Sequence, residues 1–319
     1  MEICENHPKL RNRCAHSRAA AARRHHIRPC LPPRLLKLKQ QQRKQGLLRQ
    51  IPKHGVEIRQ VWSHNLEVEF LNILSVMRRG YNVVALDTEF PGTPFLPPGV
   101  DPDYRRRSVP EHYEVLRANV DRTKIIQAGV TLTDEFGNVA ELGNMRIVWE
   151  FNFSDFDIDL DEHSAESVDL LARQGIDFRL LKTHGIDSAR FGHMMLATGL
   201  VGRSRAWVTF QGGVDLAYLL KMVMKCPMPG EVGHFMGWVQ YYFGRNVFDV
   251  KHIMTHCCGL YGGLERVAEM VKVEREAGES HRAGSDSLLI AMVFKRVVEV
   301  YFGGPEVLRF RGKLHNYVQ

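Results

Sequence analysis

The sequence predicts an α/β fold in which helices flank a mixed central sheet. A short uncharged strand follows an amphipathic helix near the start, strands joined by a hairpin come next, and short strands then alternate with helices. No internal repeat interrupts this order. We therefore expect one domain over 55–305, with a basic and disordered tail at 1–54 and a C-terminal tail at 306–319.

The first elements have clear boundaries. Asn65 is suited to cap a helix whose apolar residues recur at helical spacing, and Gly80 ends that helix. The uncharged run 83–86 then predicts a buried strand, which Pro91 stops. The segments 125–132 and 147–153 alternate as strands do, and a turn at 134–138 predicts a hairpin.

The second half predicts strand and helix pairs. A strand at 206–210 passes through glycines into a helix with apolar residues at 216–223. The segment 285–301 is apolar on nearly every side, which predicts a buried helix with Ser285 as its cap. Further helices are expected at 167–173, 188–198, 251–257 and 264–271.

Charge is unevenly distributed along the chain. Residues 1–54 hold 14 Lys/Arg and two Asp/Glu, whereas the rest holds 29 basic and 34 acidic residues. Nucleic-acid binding by the domain must therefore use a local site rather than a general basic field. The composition excludes collagen and disulfide-rich miniature folds, and no run reaches the ~20 apolar residues of a membrane span. Six unevenly spaced cysteines predict a reduced, intracellular protein.

Four carboxylates and one histidine form the candidate site. Asp87 and Glu89 lie two apart at the end of a strand, so both face one side of the sheet. Asp215 follows a strand and its glycines, and Asp286 lies in the first turn of the last helix, with His281 just before that helix. Each acid taken alone most often has a structural role at the end of a helix or strand. Taken together, all four can converge at one edge of the sheet.

Such a cluster predicts a two-metal site. Four acids without a compensating Arg or Lys repel one another, and divalent cations relieve the repulsion. Oxygen-only ligands suit Mg²⁺ or Mn²⁺, and two such ions about 4 Å apart can cleave a phosphodiester. His281 is placed to act as general base on the attacking water.

Seven segments of the chain carry a resemblance to a known family. In order along the sequence they are ALDTEFPG at 85–92, KIIQAGVTL at 124–132, WEFNF at 149–153, VTFQGGVDLAYLLK at 208–221, FDVKHIM at 248–254, GGL at 262–264 and HRAGSDSLL at 281–289. In these segments the chain resembles the Caf-type poly(A)-specific ribonucleases, catalytic subunits of the Ccr–Not deadenylase complex. The resemblance implies a 3′-to-5′ exonuclease of the DEDD group with a histidine base, built on a single ribonuclease H-like domain.

The resemblance implies roles for individual residues. Asp87 and Glu89 are similar to the family's first acidic pair, Asp215 to the second-motif carboxylate, Asp286 to the last carboxylate, and His281 to the general base. All four acids would hold metal.

Two further positions bear on the resemblance. Asp249 matches a family position with a supporting role. The segment 212–214 departs from the family, which commonly has Ser-Gly-aromatic before the acid, and the missing groups could alter adenosine contacts.

The implied function is removal of poly(A) from mRNA with release of 5′-AMP, using two divalent ions, Mg²⁺ or Mn²⁺. The implied partners are single-stranded poly(A) 3′ ends, the large Not scaffold and a Ccr-type deadenylase, in cytoplasm and nucleus and with no membrane. Two alternatives stay open: a related exonuclease of different substrate preference, and a non-catalytic scaffold subunit.

Overall fold

The computed structural model describes residues 55–202 and 205–317, and this part is built around one seven-stranded mixed sheet. The strands are β1 Val56–Val61, β2 Val83–Glu89, β3 Gln127–Thr133, β4 Glu141–Leu142, β5 Met145–Asn152, β6 Ala206–Thr209 and β7 Val247–Asp249. Their order is β1-β5-β3-β2-β6-β7, with β4 paired to β5. Because β2 is antiparallel to β3 and parallel to β6, the predicted mixed sheet is confirmed. The predicted tail at 1–54 lies outside the described residues.

Helices cover the sheet. They are α1 Leu66–Arg78, α2 Val109–Arg122, α3 Ala165–Arg173, α4 Phe178–His184, α5 Ser188–Thr198, α6 Gly213–Met224, α7 Val232–Phe243, α8 Val250–Met254, α9 Leu264–Val271 and α10 Ala283–Val297. A π-helical turn at Val298–Phe302 continues α10, and 3₁₀ turns lie at Tyr104–Arg106 and Pro305–Phe310. Within the described ranges, no helix is long and apolar enough to cross a membrane.

Strand alternation on β2 decides which face receives the acidic pair. Val84 and Leu86 enter the large core that contains α1 and α6, whereas Ala85 enters a second core built on α8, α9 and α10. Successive side chains of a strand point to opposite faces. Asp87 and Glu89 therefore share the face of Ala85, the face on which α10 packs.

Several local predictions were incomplete. Asn65 is the N-cap residue of α1, but its carboxamide accepts the Trp62 N–H at 2.7 Å instead of capping the helix. The predicted turn at 134–138 does form a hairpin, in which the backbone N–H of Asp134 donates to the carbonyl of Asn138. Helices α2, α4 and α7 were not predicted, although α2 carries a capping box between Ser108 and Glu111 that the sequence displays.

Residues beyond the predicted domain boundary at 305 also pack against the domain. Phe310 and Leu314 are 2% and 0% exposed, and Lys313 forms a parallel bridge with Phe248 of β7. Tyr317 packs against the large core. These apolar side chains, spaced between charged ones, are buried against the domain, which therefore extends at least to residue 317.

Candidate active site

Three of the four predicted carboxylates form one cluster. Asp87 and Glu89 come from the carboxyl end of β2, and Asp286 comes from the first turn of α10. Each offers one carboxylate oxygen, and these oxygens all lie within 4.8 Å of one another. The structure therefore brings together three of the four carboxylates that the sequence predicts to converge.

Asp215 lies beside the cluster and outside this 4.8 Å set. It is 7% exposed in the first turn of α6, and its Oδ1 accepts a hydrogen bond of 2.5 Å from the Thr88 hydroxyl. Thr88 separates Asp87 from Glu89 on β2, so its side chain points to the opposite face from theirs. The negative charge of Asp215 raises the pKa of Asp87, so the two carboxyls lie close enough to interact.

Burial and mutual repulsion raise the pKa values of these carboxyls and disfavour their ionised forms. Burial, followed by the charges of Glu89 and Asp215, raises the pKa of Asp87 well above its usual range. Burial and the charge of Asp286 raise the pKa of Glu89 to about 8, and burial raises that of Asp215 to about 7. Clustered acidic oxygens of this kind fit a hard divalent cation, which would restore their ionised form.

The expectation that no cation compensates these acids was wrong. The Arg275 guanidinium pairs with Asp286 and also binds Glu265 and the Ser285 hydroxyl. Its charge opposes the effect of burial, which raises the pKa of Asp286. Arg275 comes from the loop between α9 and α10, and only the folded chain brings it next to the cluster.

Glu150 of β5 anchors the start of α10, a role that sequence reasoning missed. It is 1% exposed, and it accepts hydrogen bonds from Arg282 and from the backbone N–H of Gly284 at 3.0 Å. Its register partner on β3 is Gly129, which in turn pairs with Asp87. The sequence signal for this role was an acidic residue in the middle of a predicted apolar strand, because a buried carboxylate needs a partner.

Gly129 permits close contact between this helix start and the sheet. A Cβ at position 129 would lie 1.7 Å from the carbonyl oxygen of Ala283. Ala283 begins α10, and Asp286 follows in its first turn. The absent side chain at Gly129 thus determines how closely Asp286 approaches Asp87.

The backbone of His281 contacts the edge of the cluster. Its N–H donates to Asp286 Oδ2 at 3.0 Å, while its side chain is exposed. The residue has a φ of 59°, a left-handed conformation that costs a non-glycine residue about 1–3 kcal/mol. The N-cap residue of α10 is Arg282 and not the predicted Ser285. Ser285 lies inside the first turn of the helix, where its hydroxyl donates to the Ala277 carbonyl.

Asp249 supports the turn before α6. It is fully buried, and its carboxylate accepts the N–H groups of Gln211 at 2.7 Å, Lys251 at 2.9 Å and His315 at 2.9 Å. Gln211 has a φ of 63° and precedes the glycines that lead to Asp215. Asp249 therefore fixes the backbone that positions Asp215.

The glycines at 212 and 213 allow close neighbours. A Cβ at Gly212 would lie 2.1 Å from the Thr209 hydroxyl oxygen, and one at Gly213 would lie 2.1 Å from Cε2 of Tyr317. A side chain at either position thus requires Thr209 or Tyr317 to move. In this chain the C-terminal Tyr317 ring fills the space next to the second-motif turn.

Comparison with known proteins agrees with this geometry. The model of the CAF1 family ribonuclease matches residues 61–190. The poly(A) ribonuclease pop2 of Schizosaccharomyces pombe is 40% identical over 259 residues, which cover 81% of this chain and 74% of the relative.

Two solved structures share the fold. The structure of S. pombe Pop2p with Mg²⁺ and Mn²⁺ bound matches with a TM-score of 0.75 and 39% identity, covering 81% of this chain and 99% of that one. Yeast CAF1, co-crystallized with the NOT1 MIF4G domain, matches with a TM-score of 0.67 and 29% identity, covering 84% and 100%. The predicted α/β fold with a mixed central sheet flanked by helices is confirmed, and the chain belongs to the CAF1 ribonuclease family.

Proposed function

We propose that this chain is a metal-dependent 3′-to-5′ exoribonuclease that shortens mRNA poly(A) tails and releases 5′-AMP. The observation that carries the proposal is the cluster of Asp87, Glu89 and Asp286, whose oxygens lie within 4.8 Å of one another. Because the chain belongs to a family of ribonucleases, the expected substrate of this cluster is a phosphodiester bond.

The geometry of the cluster supports a set of proposed metal ligands. Asp87, Glu89 and Asp286 would hold a divalent cation, Mg²⁺ or Mn²⁺, and Asp215 would contribute to a second one. When bound, such ions supply an activated water and stabilise the charge that develops on the leaving oxygen. The relative Pop2p was solved with both of these metals.

The protein's own groups would position the reactants and move the proton. The exposed His281 imidazole at the rim would accept the proton of the attacking water, a contribution of about 10²–10⁴ in rate. The His281 N–H and the Arg275 guanidinium hold the Asp286 carboxylate in a fixed orientation. Glu150 and Gly129 hold the start of α10 against the sheet.

The substrate and partners are proposed from the relatives. The S. pombe relative is named a poly(A) ribonuclease, and yeast CAF1 was co-crystallized with the NOT1 MIF4G domain. We propose single-stranded poly(A) 3′ ends as the substrate, with the large Not scaffold and a Ccr-type deadenylase as partners. The proposed location is cytoplasm and nucleus.

A comparison of substrates tests the activity. Purified protein with Mg²⁺ is given RNA ending in adenosines, RNA ending in uridines, or single-stranded DNA, and mononucleotide release is measured. We expect fastest release from the adenosine tract. Asp286→Asn should abolish release, whereas Asp169→Asn, which removes an exposed acid of α3, should not. Equal rates on all three substrates would contradict poly(A) specificity.

The scaffold alternative has its own test. If the parent protein releases no nucleotide with Mg²⁺ or Mn²⁺ but captures a NOT1 MIF4G domain, the scaffold hypothesis replaces the catalytic one. Capture by Asp286→Asn alongside catalysis by the parent would show that assembly and turnover are separate properties of the same chain.

A further inference from the structure

A further concave surface lies outside the acidic cluster. It is a cavity of about 720 Å³, and its walls come from three separate segments of the chain. We call it the basic groove and define it by Tyr104, Arg105, Arg107, His112, His256 and Lys313. No residue of this groove belongs to the candidate catalytic set.

The basic groove carries positive charge that is not neutralised. Among residues 55–202 and 205–317, no carboxylate forms an ion pair with Arg105, Arg107 or Lys313. Arg107 donates to the carbonyls of Asp101 at 2.8 Å and Pro102 at 3.2 Å, which hold its side chain without removing its charge. Uncompensated cations in a concave surface attract anions.

The titratable groups around the basic groove are consistent with its positive charge. Asp249 lies close to the groove, but its oxygens are occupied by backbone N–H groups. Burial and the positive charge of Lys251 lower the pKa of His315, which also lines the cavity, to about 4. His252, on the same wall, has a buried Nε2 without a hydrogen-bond partner among the described residues.

The basic groove is connected to the catalytic end of α6. The Tyr104 hydroxyl accepts a hydrogen bond from Gln211 Nε2 at 2.9 Å and another from the Asn316 amide. Gln211 is the residue whose turn leads through the glycines to Asp215. One wall of the groove therefore borders the backbone that positions this carboxylate.

We propose that the basic groove binds the phosphodiester backbone of single-stranded RNA on the 5′ side of the scissile bond. The inference rests on the proposed function, because an exonuclease holds the terminal nucleotide at its carboxylates and leaves the upstream phosphates outside. Arg105, Arg107 and Lys313 supply the charge for those phosphates. Tyr104, which is 42% exposed, supplies a ring on which a base can stack.

A paired substitution tests the binding. Arg105→Ala with Lys313→Ala removes two exposed charges that make no ion pair among the described residues. The matched control is Arg78→Ala with Arg173→Ala, two exposed cations of α1 and α3 that do not line the groove. Fluorescence anisotropy with a labelled oligoadenylate of about 20 nucleotides is measured in EDTA with the full chain.

The expected effect follows from counterion release. Each lost phosphate contact to a single strand lowers the salt slope by about 0.7, so two contacts lower it by about 1.4 and weaken binding about 15-fold at roughly 150 mM salt. The control pair should match the parent. Unchanged affinity and slope in the groove variant would overturn the proposal and favour an acidic protein surface as the occupant.

Cleavage of two substrates separates this inference from the proposed function. The dinucleotide ApA has no phosphate upstream of its scissile bond, so the groove variant should cleave it with parental kcat/KM. The longer oligoadenylate should lose kcat/KM in proportion to its lost affinity. Equal loss on both substrates would overturn the upstream placement. If the parent cleaves neither, the proposed function fails, and the anisotropy result still decides whether the groove binds RNA.

Discussion

Gly129→Ala should displace the start of α10 and with it Asp286. The new Cβ would lie 1.7 Å from the Ala283 carbonyl oxygen, whereas ordinary contact needs roughly 3.4 Å. The obstacle is helix backbone and not the end of a flexible side chain. The first turn of α10 must therefore move away from the sheet by more than about 1 Å.

Both stability and activity should fall. Overpacking of this kind costs about 1–3 kcal/mol, which lowers Tm by roughly 2–12 °C for a domain of this size. A shift of about 1 Å in a catalytic group costs about 10²-fold in rate. We expect kcat/KM on oligoadenylate to fall by about that factor.

The matched control is Gly237→Ala. Gly237 lies exposed inside α7, where a Cβ meets nothing within 4 Å. Alanine in such a helix position should stabilise by up to about 1 kcal/mol and leave activity unchanged. If Gly129→Ala had the Tm and kcat/KM of this control, the close contact of α10 with β3 would be refuted. A lowered Tm with full kcat/KM would refute the link between this contact and Asp286.

Three further predictions concern charge. Asp87→Asn should reduce cleavage by about 10³-fold or more, because it removes a metal ligand. It should not lower Tm in EDTA, because burial and the neighbouring acids already disfavour the ionised form of Asp87, and a clear fall in Tm would contradict this. Without metal, Glu89 and Asp215, with pKa values of about 8 and about 7, stay protonated in the folded chain while the unfolded chain is ionised. The unfolding free energy should therefore fall as pH rises from about 4 to about 8, and Mg²⁺ should reduce that fall. Thermal unfolding scans across this pH range, with and without Mg²⁺, check both expectations. A Tm that rises with pH in EDTA would be inconsistent with the raised pKa values. Arg282→Ala should cost about 3–5 kcal/mol in denaturant unfolding, because it removes the cation paired with the buried Glu150, and a loss under about 1 kcal/mol would show that the remaining hydrogen bonds suffice.

The sheet and the acidic cluster could be predicted because their signals are local. Period-two alternation on β2 determines that Asp87 and Glu89 share a face, and the helix period places Asp286 in a first turn. The family resemblance linked these positions to Asp215 and His281. The structure brings the first three together and places the other two at the edge of the same site.

Groups held by long-range contacts could not be predicted in this way. Arg275 and Glu150 reach the cluster only after the loop before α10 and strand β5 are packed. The burial of Leu314 depends on a partner near β7, so a short mixed segment was interpreted as a tail. The basic groove likewise combines the arginine run 105–107 with two segments that lie far along the chain, and only the fold brings the three together.

The central claim is that the acidic cluster is a metal-dependent centre for removing nucleotides from poly(A) 3′ ends. The most direct measurement uses a 5′-labelled RNA with a 3′ adenosine tract, incubated with the purified protein in Mg²⁺ or in EDTA and resolved by length. We expect a ladder that shortens from the 3′ end in Mg²⁺ and is absent in EDTA. RNA of unchanged length in both Mg²⁺ and Mn²⁺, or a ladder that persists in EDTA, would contradict the account.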